Sequence, residues 1–189
     1  MLEKIRGKTR DLLKPLAKNI KGINPNTLTL LGLVISIIAA VFLALQEVLE
    51  AGFFIIISGF LDVLDGAVAR ENDRMTRFGG FLDSVCDRFA DSAIIIGAMY
   101  GGLTVFPPFP DWLIGTLAIV GSNMVSYTRA RAEAAGGSAS VGPGERAVRM
   151  IIIVVGAFID KVNWAILLVG VLSFITVFQR IAYARRTLK

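Results

Sequence analysis

Long apolar segments separated by short polar ones dominate the chain, and they predict helices that cross a membrane. The first, 27–45, contains no charged residue. At about 1.5 Å per residue, a helix of this length crosses a hydrocarbon core about 30 Å thick. We place six spans at 27–45, 51–69, 79–99, 112–128, 147–159 and 164–183. The pattern therefore predicts an all-α integral membrane protein with six transmembrane helices.

The composition agrees with this interpretation. Hydrophobic residues make up 54% of the chain and charged residues 19%, and the mean hydropathy is +0.67. The connecting segments 46–50, 104–111 and 160–163 are too short to hold a soluble domain. Soluble, secreted, collagenous and disordered classes are therefore excluded.

The distribution of basic residues predicts the orientation in the membrane. All but two of the 20 Lys and Arg residues fall on one predicted side; the exceptions are Lys161, on the opposite side, and Arg88, within the third span. The positive-inside rule then places both termini in the cytoplasm and the protein in the cell membrane. The net charge of +5 is accounted for by cytoplasmic loops and anionic headgroups, so we expect no nucleic-acid partner.

Residues 1–22 alternate apolar residues with lysines, which predicts an amphipathic juxtamembrane helix lying on the membrane surface. A solvated basic leader is the alternative, because it would carry the same charge excess. Charges interrupt the apolar residues throughout, so a signal peptide is not predicted. The expected organisation is an N-terminal helix at 1–22 followed by a membrane domain at 23–189.

The residue inventory restricts the chemistry to carboxylates. The chain has one cysteine, Cys86, and no histidine. Disulfide frameworks, zinc sites, haem ligation and Ser-His or Cys-His dyads are therefore excluded.

Five aspartates lie within otherwise apolar segments: Asp62, Asp65, Asp83, Asp87 and Asp91. An acid inside a transmembrane helix costs about 2.5–3.5 kcal/mol, so such residues need partners or a function. The i, i+3 spacing of the first pair and the i, i+4 spacing of Asp83 and Asp87 let two facing helices bring four carboxylates together. Oxygen donors without His or Cys favour Mg²⁺ or Mn²⁺, and a site for two ions is plausible.

Small residues and one arginine lie beside these acids. Gly66 and Ala69 fall near the face of Asp62 and Asp65, and Gly79 lies one turn before Asp83. Arg70 ends the same face, where its planar guanidinium could hold a phosphate. Metal ions, small residues and arginine at a membrane surface together suggest a diphosphate ligand.

The stretch from Asp62 to Asp87 reads DVLDGAVAR, then eight residues, then GGFLDSVCD. It resembles the complete signature of the CDP-alcohol phosphotransferases, DxxDGxxAR followed by GxxxDxxxD. The resemblance implies transfer of a phosphatidyl or archaetidyl group from a CDP-linked lipid, CDP-diacylglycerol or CDP-archaeol, with release of CMP. It also implies six spans and a homodimer.

The resemblance implies a role for each signature residue. Asp62, Asp65, Asp83 and Asp87 become metal ligands, and Asp87 is also the general base. The CDP-lipid would be bound by Pro25, Thr29, Asp62, Gly66, Ala69, Arg70 and Gly79. Pro25 and Thr29 enter through the segment NPNTLT, which is similar to the family's P-N-x-L-T element; there Asn26 or Thr27 is expected to cap the first helix.

The segments around Arg129, Arg149 and Arg180 are similar to the phosphatidylinositol-phosphate synthases and their archaeal archaetidyl counterparts. This similarity implies that these arginines, with Arg146 nearby, bind the phosphate of the acceptor, inositol phosphate. Loop anchoring of each arginine at a helix end is the alternative. Arg131 with Glu133 and Glu145 with Arg146 are expected to be local charge pairs. For Asp91 we expect an ion pair with Arg88 or a supporting hydrogen bond rather than metal ligation.

Other functions stay open from the sequence. Glycerol 3-phosphate is the nearest rival acceptor, as in phosphatidylglycerophosphate synthases. Intramembrane acids also occur in divalent-cation and proton transporters. The aspartates lie at one end of their spans, whereas transporters usually bind near the midplane, so transport is the weaker hypothesis.

Overall fold

The computed structural model describes residues 15, 17, 20 and 22–188, and in this part of the chain all regular structure is helical. The helices are α1 Pro25–Ala44, α2 Val48–Glu71, α3 Arg77–Tyr100, α4 Leu113–Ala134, α5 Arg146–Phe158 and α6 Val162–Thr187. The predicted all-α class is confirmed, with one helix for each predicted apolar segment. Most of the predicted helix at 1–22 lies outside the described residues.

Two helices extend well beyond the apolar segments that predicted them. Helix α4 continues past residue 128 to Ala134, and α6 continues past residue 183 to Thr187. Their added residues are mainly Ala, Arg and Glu, which favour helix but not lipid. The length of an apolar segment predicts the part of a helix that can lie in lipid. Residues of high helix propensity beyond that segment extend the helix outside the lipid.

The first helix begins earlier than expected. Its N-cap is Asn24, whose side chain accepts a hydrogen bond from the Asn26 amide at 3.0 Å. The prediction of Asn26 or Thr27 as the cap is therefore wrong. Pro25 accounts for the difference, because proline is well suited to the first turn of a helix, where its missing N–H is not needed.

The six helices form one bundle. Helix α1 packs against α2 and α3, and α4 packs against α6, while α5 contacts both α2 and α6. The approach of α1 to α3 is especially close at Gly97, where an added Cβ would lie 2.2 Å from the carbonyl oxygen of Ala40. Glycine is therefore required at this crossing for the two backbones to touch.

Large apolar side chains cover the outside of the bundle, and its interior contains a hydrophobic core together with a smaller number of polar groups. Exposed residues of α1 and α2 include Leu30, Val34, Ile37, Phe53 and Phe60. Inside, the Ser36 and Ser58 hydroxyls are 2.6 Å apart. This arrangement suits lipid as the surrounding solvent.

Three described helices are long and apolar enough to cross a membrane: α1, α2 and α6. Among the other helices, α3 carries Asp83, Asp87 and Asp91, which lower its hydropathy, and α5 has only 13 residues. At about 1.5 Å per residue, α5 is shorter than a hydrocarbon core of about 30 Å. The prediction of six spans with cytoplasmic termini therefore stays a prediction.

Polar contacts collect at one end of the bundle. They join the start of α1 to the second half of α2, the second half of α2 to the start of α5, and the middle of α3 to α4. The loop before α5 is joined to the middle of α6. All six helices therefore contribute to a common polar region, which contains the predicted site residues.

Candidate active site

Three of the four signature aspartates form a compact carboxylate cluster. One oxygen each from Asp62, Asp83 and Asp87 lies within 4.8 Å of the others. The short connection 72–76 turns the chain between α2 and α3, so the end of one helix faces the start of the next. The i, i+4 spacing places Asp83 and Asp87 on the same face of α3.

The fourth aspartate, Asp65, is held beside this cluster by α1. Its side chain is buried, with 6% exposure. The Thr29 hydroxyl donates a hydrogen bond to Asp65 Oδ2 at 2.6 Å. The sequence grouped Thr29 and Asp65 in one site but gave no indication of this direct bond, because the two residues belong to different helices.

The chemistry of the cluster fits a divalent metal ion. Three carboxylates supply hard oxygen donors, and the converging negative charges require cations nearby. The group consists of aspartates and includes neither the cysteine nor the histidine ligands that would favour zinc. The residues present are therefore suitable for divalent metal binding.

Arg146, at the first position of α5, contacts the same carboxylates. Its Nη1 lies 2.9 Å from Asp62 Oδ1 and 3.0 Å from Asp87 Oδ1. Its Nε donates to Asp91 Oδ1 at 3.1 Å. The sequence predicted Glu145 as its charge partner, but these ion pairs are with aspartates of other helices, because the bundle brings the start of α5 against α2 and α3.

Asp91 does not pair with Arg88, so that alternative is wrong. Its second oxygen accepts a hydrogen bond from Arg149 Nη2. Arg88 instead lies 3.3 Å from Asp87 Oδ2 and donates to the Ser126 hydroxyl at 2.7 Å. The other expectation for Asp91, a supporting hydrogen bond, matches these contacts.

Arg149 and Arg180 are almost fully buried, with 1% and 3% exposure. Arg149 Nη1 donates to the Gly144 carbonyl at 2.6 Å. Arg180 donates through Nε to the Val141 carbonyl at 2.9 Å and through Nη1 to the Val125 carbonyl. Carbonyl groups orient a guanidinium group without neutralising its formal charge, so Arg180 keeps its positive charge, which Glu145 and Glu133 attract and Arg149 repels.

Arg129 lies at the edge of this basic region. It exerts Coulombic repulsion on Arg180, as Arg149 does. Its exposed side chain pairs with Glu133 at 2.9 Å. The expected Arg131–Glu133 pair is therefore corrected to Arg129–Glu133, whose i, i+4 spacing brings the two side chains together on one helix face.

The small signature residues lie beside the aspartates, close to polar side chains. An added Cβ at Gly66 would lie 3.1 Å from Arg70 Nη1, so the guanidinium group of Arg70 lies over the bare backbone of α2. An added Cβ at Gly79 would lie 3.2 Å from Asn26 Oδ1, which brings the start of α3 against the start of α1. Pro25 is buried in that same start of α1. Ala69 is half-buried next to Arg70.

Sequence reasoning missed the groups that hold the arginines in place. They are the carbonyls of Val125, Val141 and Gly144 and the hydroxyl of Ser126. Backbone carbonyls leave no signal in a side-chain pattern. Asp91 did have a signal, since it continues the i, i+4 series of Asp83 and Asp87.

The fold and the site define a class of protein. The chain belongs to the CDP-alcohol phosphatidyltransferase family, whose model matches residues 22–178. It is therefore an enzyme of the CDP-alcohol phosphotransferase class, as the aspartate signature predicted.

Particular relatives are similar over almost the whole chain. The chain is 41% identical to the archaetidylinositol phosphate synthase of Pyrococcus horikoshii, covering 100% of this chain and 99% of the relative. It is 35% identical to the phosphatidylinositol phosphate synthase of Mycobacteroides abscessus, covering 92% and 84%. The predicted subfamily resemblance is confirmed by these relatives.

Solved structures have the same fold. The crystal structure of Mycobacterium tuberculosis phosphatidylinositol phosphate synthase with CDP-DAG bound matches with a TM-score of 0.84 and 29% identity, covering 94% of this chain and 95% of that chain. The same enzyme in complex with manganese and citrate matches with a TM-score of 0.82 and 29% identity, covering 92% and 89%.

Proposed function

We propose that the protein transfers a phosphatidyl or archaetidyl group from a CDP-linked lipid to inositol phosphate, 1D-myo-inositol 3-phosphate, and releases CMP. One observation carries the choice of acceptor. Two buried arginines, Arg149 and Arg180, are fixed by backbone carbonyls next to the carboxylate cluster. An acceptor that carries a phosphate matches this basic region, in which Arg149 pairs with Asp91 and Arg180 is held by carbonyls, whereas serine or free inositol would bring no phosphate to it.

The relatives support the same acceptor. Several carry names that specify synthesis of phosphatidylinositol phosphate or archaetidylinositol phosphate. A related structure was solved with CDP-DAG bound, which supports a CDP-linked lipid as the donor. The choice between diacyl and archaeal ether lipid leaves the CDP group of the donor unchanged; it concerns the chains and their linkage to glycerol.

The metal site of this proposal consists of Asp62, Asp65, Asp83 and Asp87, holding two Mg²⁺ or Mn²⁺ ions. When bound, such ions offset negative charge that develops on the diphosphate as CMP leaves. The close approach of three carboxylate oxygens supports this assignment. Manganese in a related structure supports the class of ion.

Asp87 is the general base in this proposal. Its carboxylate takes the proton of the acceptor hydroxyl as that oxygen forms a bond to the lipid-side phosphorus, and the bond from this phosphorus to the oxygen of CMP breaks. Arg146 contacts one Asp87 oxygen at 3.0 Å and Arg88 contacts the other at 3.3 Å. These two contacts orient the carboxylate before reaction.

The CDP-lipid would lie along the starts of α1 and α3 and the end of α2. The residues proposed for it are Pro25, Thr29, Asp62, Gly66, Ala69, Arg70 and Gly79. The small residues leave the backbone open to the nucleotide, and Arg70 offers a planar group for phosphate or base. Inositol phosphate would bind through Arg129, Arg146, Arg149 and Arg180.

We also propose the membrane arrangement implied by the sequence. All six helices cross the cell membrane, both termini lie in the cytoplasm, and the active site faces the cytoplasm. The chain works as a homodimer, with residues 1–22 as a juxtamembrane helix before the membrane domain 23–189. The apolar outer surface of the bundle supports its insertion in lipid.

The test of this function is CMP release by the purified protein with a CDP-linked lipid and Mg²⁺. Inositol 3-phosphate, glycerol 3-phosphate, inositol and serine are compared in parallel. We expect release with inositol 3-phosphate to exceed release with each other acceptor by at least about tenfold in kcat/KM. A preference for glycerol 3-phosphate would contradict the acceptor while keeping the reaction class. Absence of release with all four would contradict the proposed donor and acceptor together.

A further inference from the structure

Asp91 lies between the carboxylate cluster and the basic region and contacts both arginines that α5 contributes. Its side chain is buried, with 4% exposure of the residue. Oδ1 accepts from Arg146 Nε at 3.1 Å, and Oδ2 accepts from Arg149 Nη2 at 2.5 Å. Each carboxylate oxygen therefore serves a different arginine.

The position of Asp91 on α3 links two parts of the site. It lies one helical turn after Asp87, so the two carboxylates are neighbours on the same face of α3. Arg146 contacts both of them. A shift of Asp91 would therefore change the distance between the arginines and Asp87. An acceptor whose phosphate is bound by the arginines and whose hydroxyl reacts at Asp87 must match this distance.

Asp91 is the main group that orients the guanidinium of Arg149, because the other contacts of this side chain are few. Its Nη1 donates to the Gly144 carbonyl, in the loop before α5. Its Nε is buried and has no hydrogen-bond partner among the described residues. Asp91 is thus the charged group that, with the Gly144 carbonyl, holds the guanidinium plane, and Nε is a buried donor without an acceptor in the described part of the chain.

We propose that Asp91 is a positioning residue for the acceptor, acting through Arg149 and Arg146. This inference rests on the proposed function, in which these arginines bind the acceptor phosphate. An ionised carboxylate accepts at both oxygens, whereas an asparagine accepts at one and presents N–H donors at the other. Asp91→Asn must therefore turn one arginine away, although the side chain keeps its size.

The experiment measures steady-state CMP release by Asp91→Asn, with the acceptor and the CDP-lipid varied separately. We expect the KM for inositol 3-phosphate to rise at least about tenfold, while the KM for the CDP-lipid stays within about twofold. A carboxylate that merely joins α3 to α5 would change both constants or only the amount of folded protein. An unchanged acceptor KM, or an equal rise in both, would overturn the proposal.

Arg149→Gln separates this inference from the function on which it rests. If Arg149→Gln raises the acceptor KM and Asp91→Asn does not, the inference fails and the proposed acceptor site stands. If neither variant changes the acceptor KM, the proposed acceptor site fails as well. In the double variant we expect the rise in acceptor KM to be smaller than the product of the two single effects, because part of the action of Asp91 passes through Arg149. Fully additive effects would overturn the coupling.

Two further variants control for stability. Thr104→Val removes the hydrogen bond to the Asp111 carbonyl in the loop between α3 and α4, beyond the end of α3 that is opposite to the aspartates, and we expect both KM values to stay within about twofold of the original. Asp91→Glu keeps the charge but moves the carboxylate by one methylene. If Asp91→Asn does not fold, the same criteria apply to Asp91→Glu, whose unchanged acceptor KM would overturn a positioning role.

Discussion

Asp87 is the proposed general base and is in contact with two arginines. Arg146 and Arg88 contact its two oxygens from different directions. The carboxylate therefore has a defined orientation before any substrate is bound, and the acceptor hydroxyl must approach along a restricted path. A general base needs both this geometry and the capacity to take a proton.

Replacing Asp87 with Asn should lower kcat for CMP release by about 10²–10⁴-fold, because the amide cannot take the hydroxyl proton. The measurement is steady-state CMP release together with thermal unfolding in detergent. Asp73→Asn is the matched control, since it makes the same chemical change at an exposed acid outside the cluster. Its φ of 53° is also one that Asn accepts readily. Activity near the original in Asp87→Asn would contradict the assignment of the base.

Arg180 tests whether a planar guanidinium is needed in the acceptor region. Arg180→Lys keeps a positive charge but loses the fork that donates to the Val125 and Val141 carbonyls. We expect the KM for inositol 3-phosphate to rise about tenfold with little change for the CDP-lipid. Arg185→Lys, on the exposed end of the same helix, should leave both constants unchanged. Equal effects of the two variants would favour helix anchoring over acceptor binding.

The limits of sequence reasoning at this scale follow from what a side-chain pattern contains. Asp83 and Asp87 could be predicted to share a face because spacing along a helix fixes it, whereas their approach to Asp62 on α2 was expected only on the condition that the two helices face each other. The partners that Arg146 and Asp91 find on other helices could not be predicted, and Arg88, the nearest basic residue to Asp91 in the chain, was the wrong choice. Contacts across helices depend on how the bundle packs.

At the scale of helices, α1 and α3 are in contact at both ends: Gly79 lies against Asn26 at their starts, and Gly97 lies against Ala40 near their ends. Gly97 gives this crossing its close approach, because an added Cβ would lie 2.2 Å from the Ala40 carbonyl oxygen. The same pair of helices contributes Thr29 and the aspartates of α3. Packing far from the acids therefore affects the geometry of the site.

Gly97→Ala should lower the free energy of unfolding by about 1–3 kcal/mol, because the methyl group forces the two backbones apart. Gly59→Ala is the matched control, since an added Cβ there has no atom within 4 Å. It should be neutral or stabilising by up to about 1 kcal/mol through helix propensity. The measurement is thermal unfolding of both variants in the same detergent. Equal destabilisation by the two substitutions would contradict a specific contact at Gly97.

The pairing of α2 with α3 should be visible in metal binding. Asp62→Asn and Asp83→Asn each remove one carboxylate from the cluster. We expect Mn²⁺ affinity to fall by at least about tenfold, because mutation of residues that only hydrogen-bond to metal ligands already lowers affinity by about 10–100-fold. Titration of Mn²⁺ followed by electron paramagnetic resonance measures this without turnover. Glu71→Gln, at the end of α2 but outside the cluster, is the control. Unchanged affinity in both aspartate variants would contradict the metal site.

Helix positions followed well from hydropathy, whereas helix ends did not. The six apolar segments each became one helix, because burial or lipid contact requires long apolar faces. Ends depend on caps and on residues beyond the lipid, as Asn24 and the extension of α4 to Ala134 illustrate. Prolines and glycines mark loops but do not fix where a cap forms.

Across the whole molecule, charge and contacts agree on one polar end. The short connection 72–76, the start of α5 and the ends of α4 and α6 all carry basic residues, and all lie on the side of the carboxylate cluster. The connection between α5 and α6 carries Lys161 at the opposite end. A protein with its active site in the cytoplasm would show this asymmetry.

Cysteine labelling in membranes tests this orientation. In a Cys86→Ser background, which removes the chain's only cysteine, Met75→Cys places an exposed thiol at the polar end and Lys161→Cys places one at the other end. A charged maleimide should label Met75→Cys only in inside-out vesicles and Lys161→Cys only in right-side-out cells, because the reagent does not cross the bilayer. Labelling of both thiols from the same side would contradict the proposed number of membrane crossings between them. Labelling of Met75→Cys from the outside and Lys161→Cys from the inside would place the carboxylate cluster at the outer face and contradict the proposed orientation.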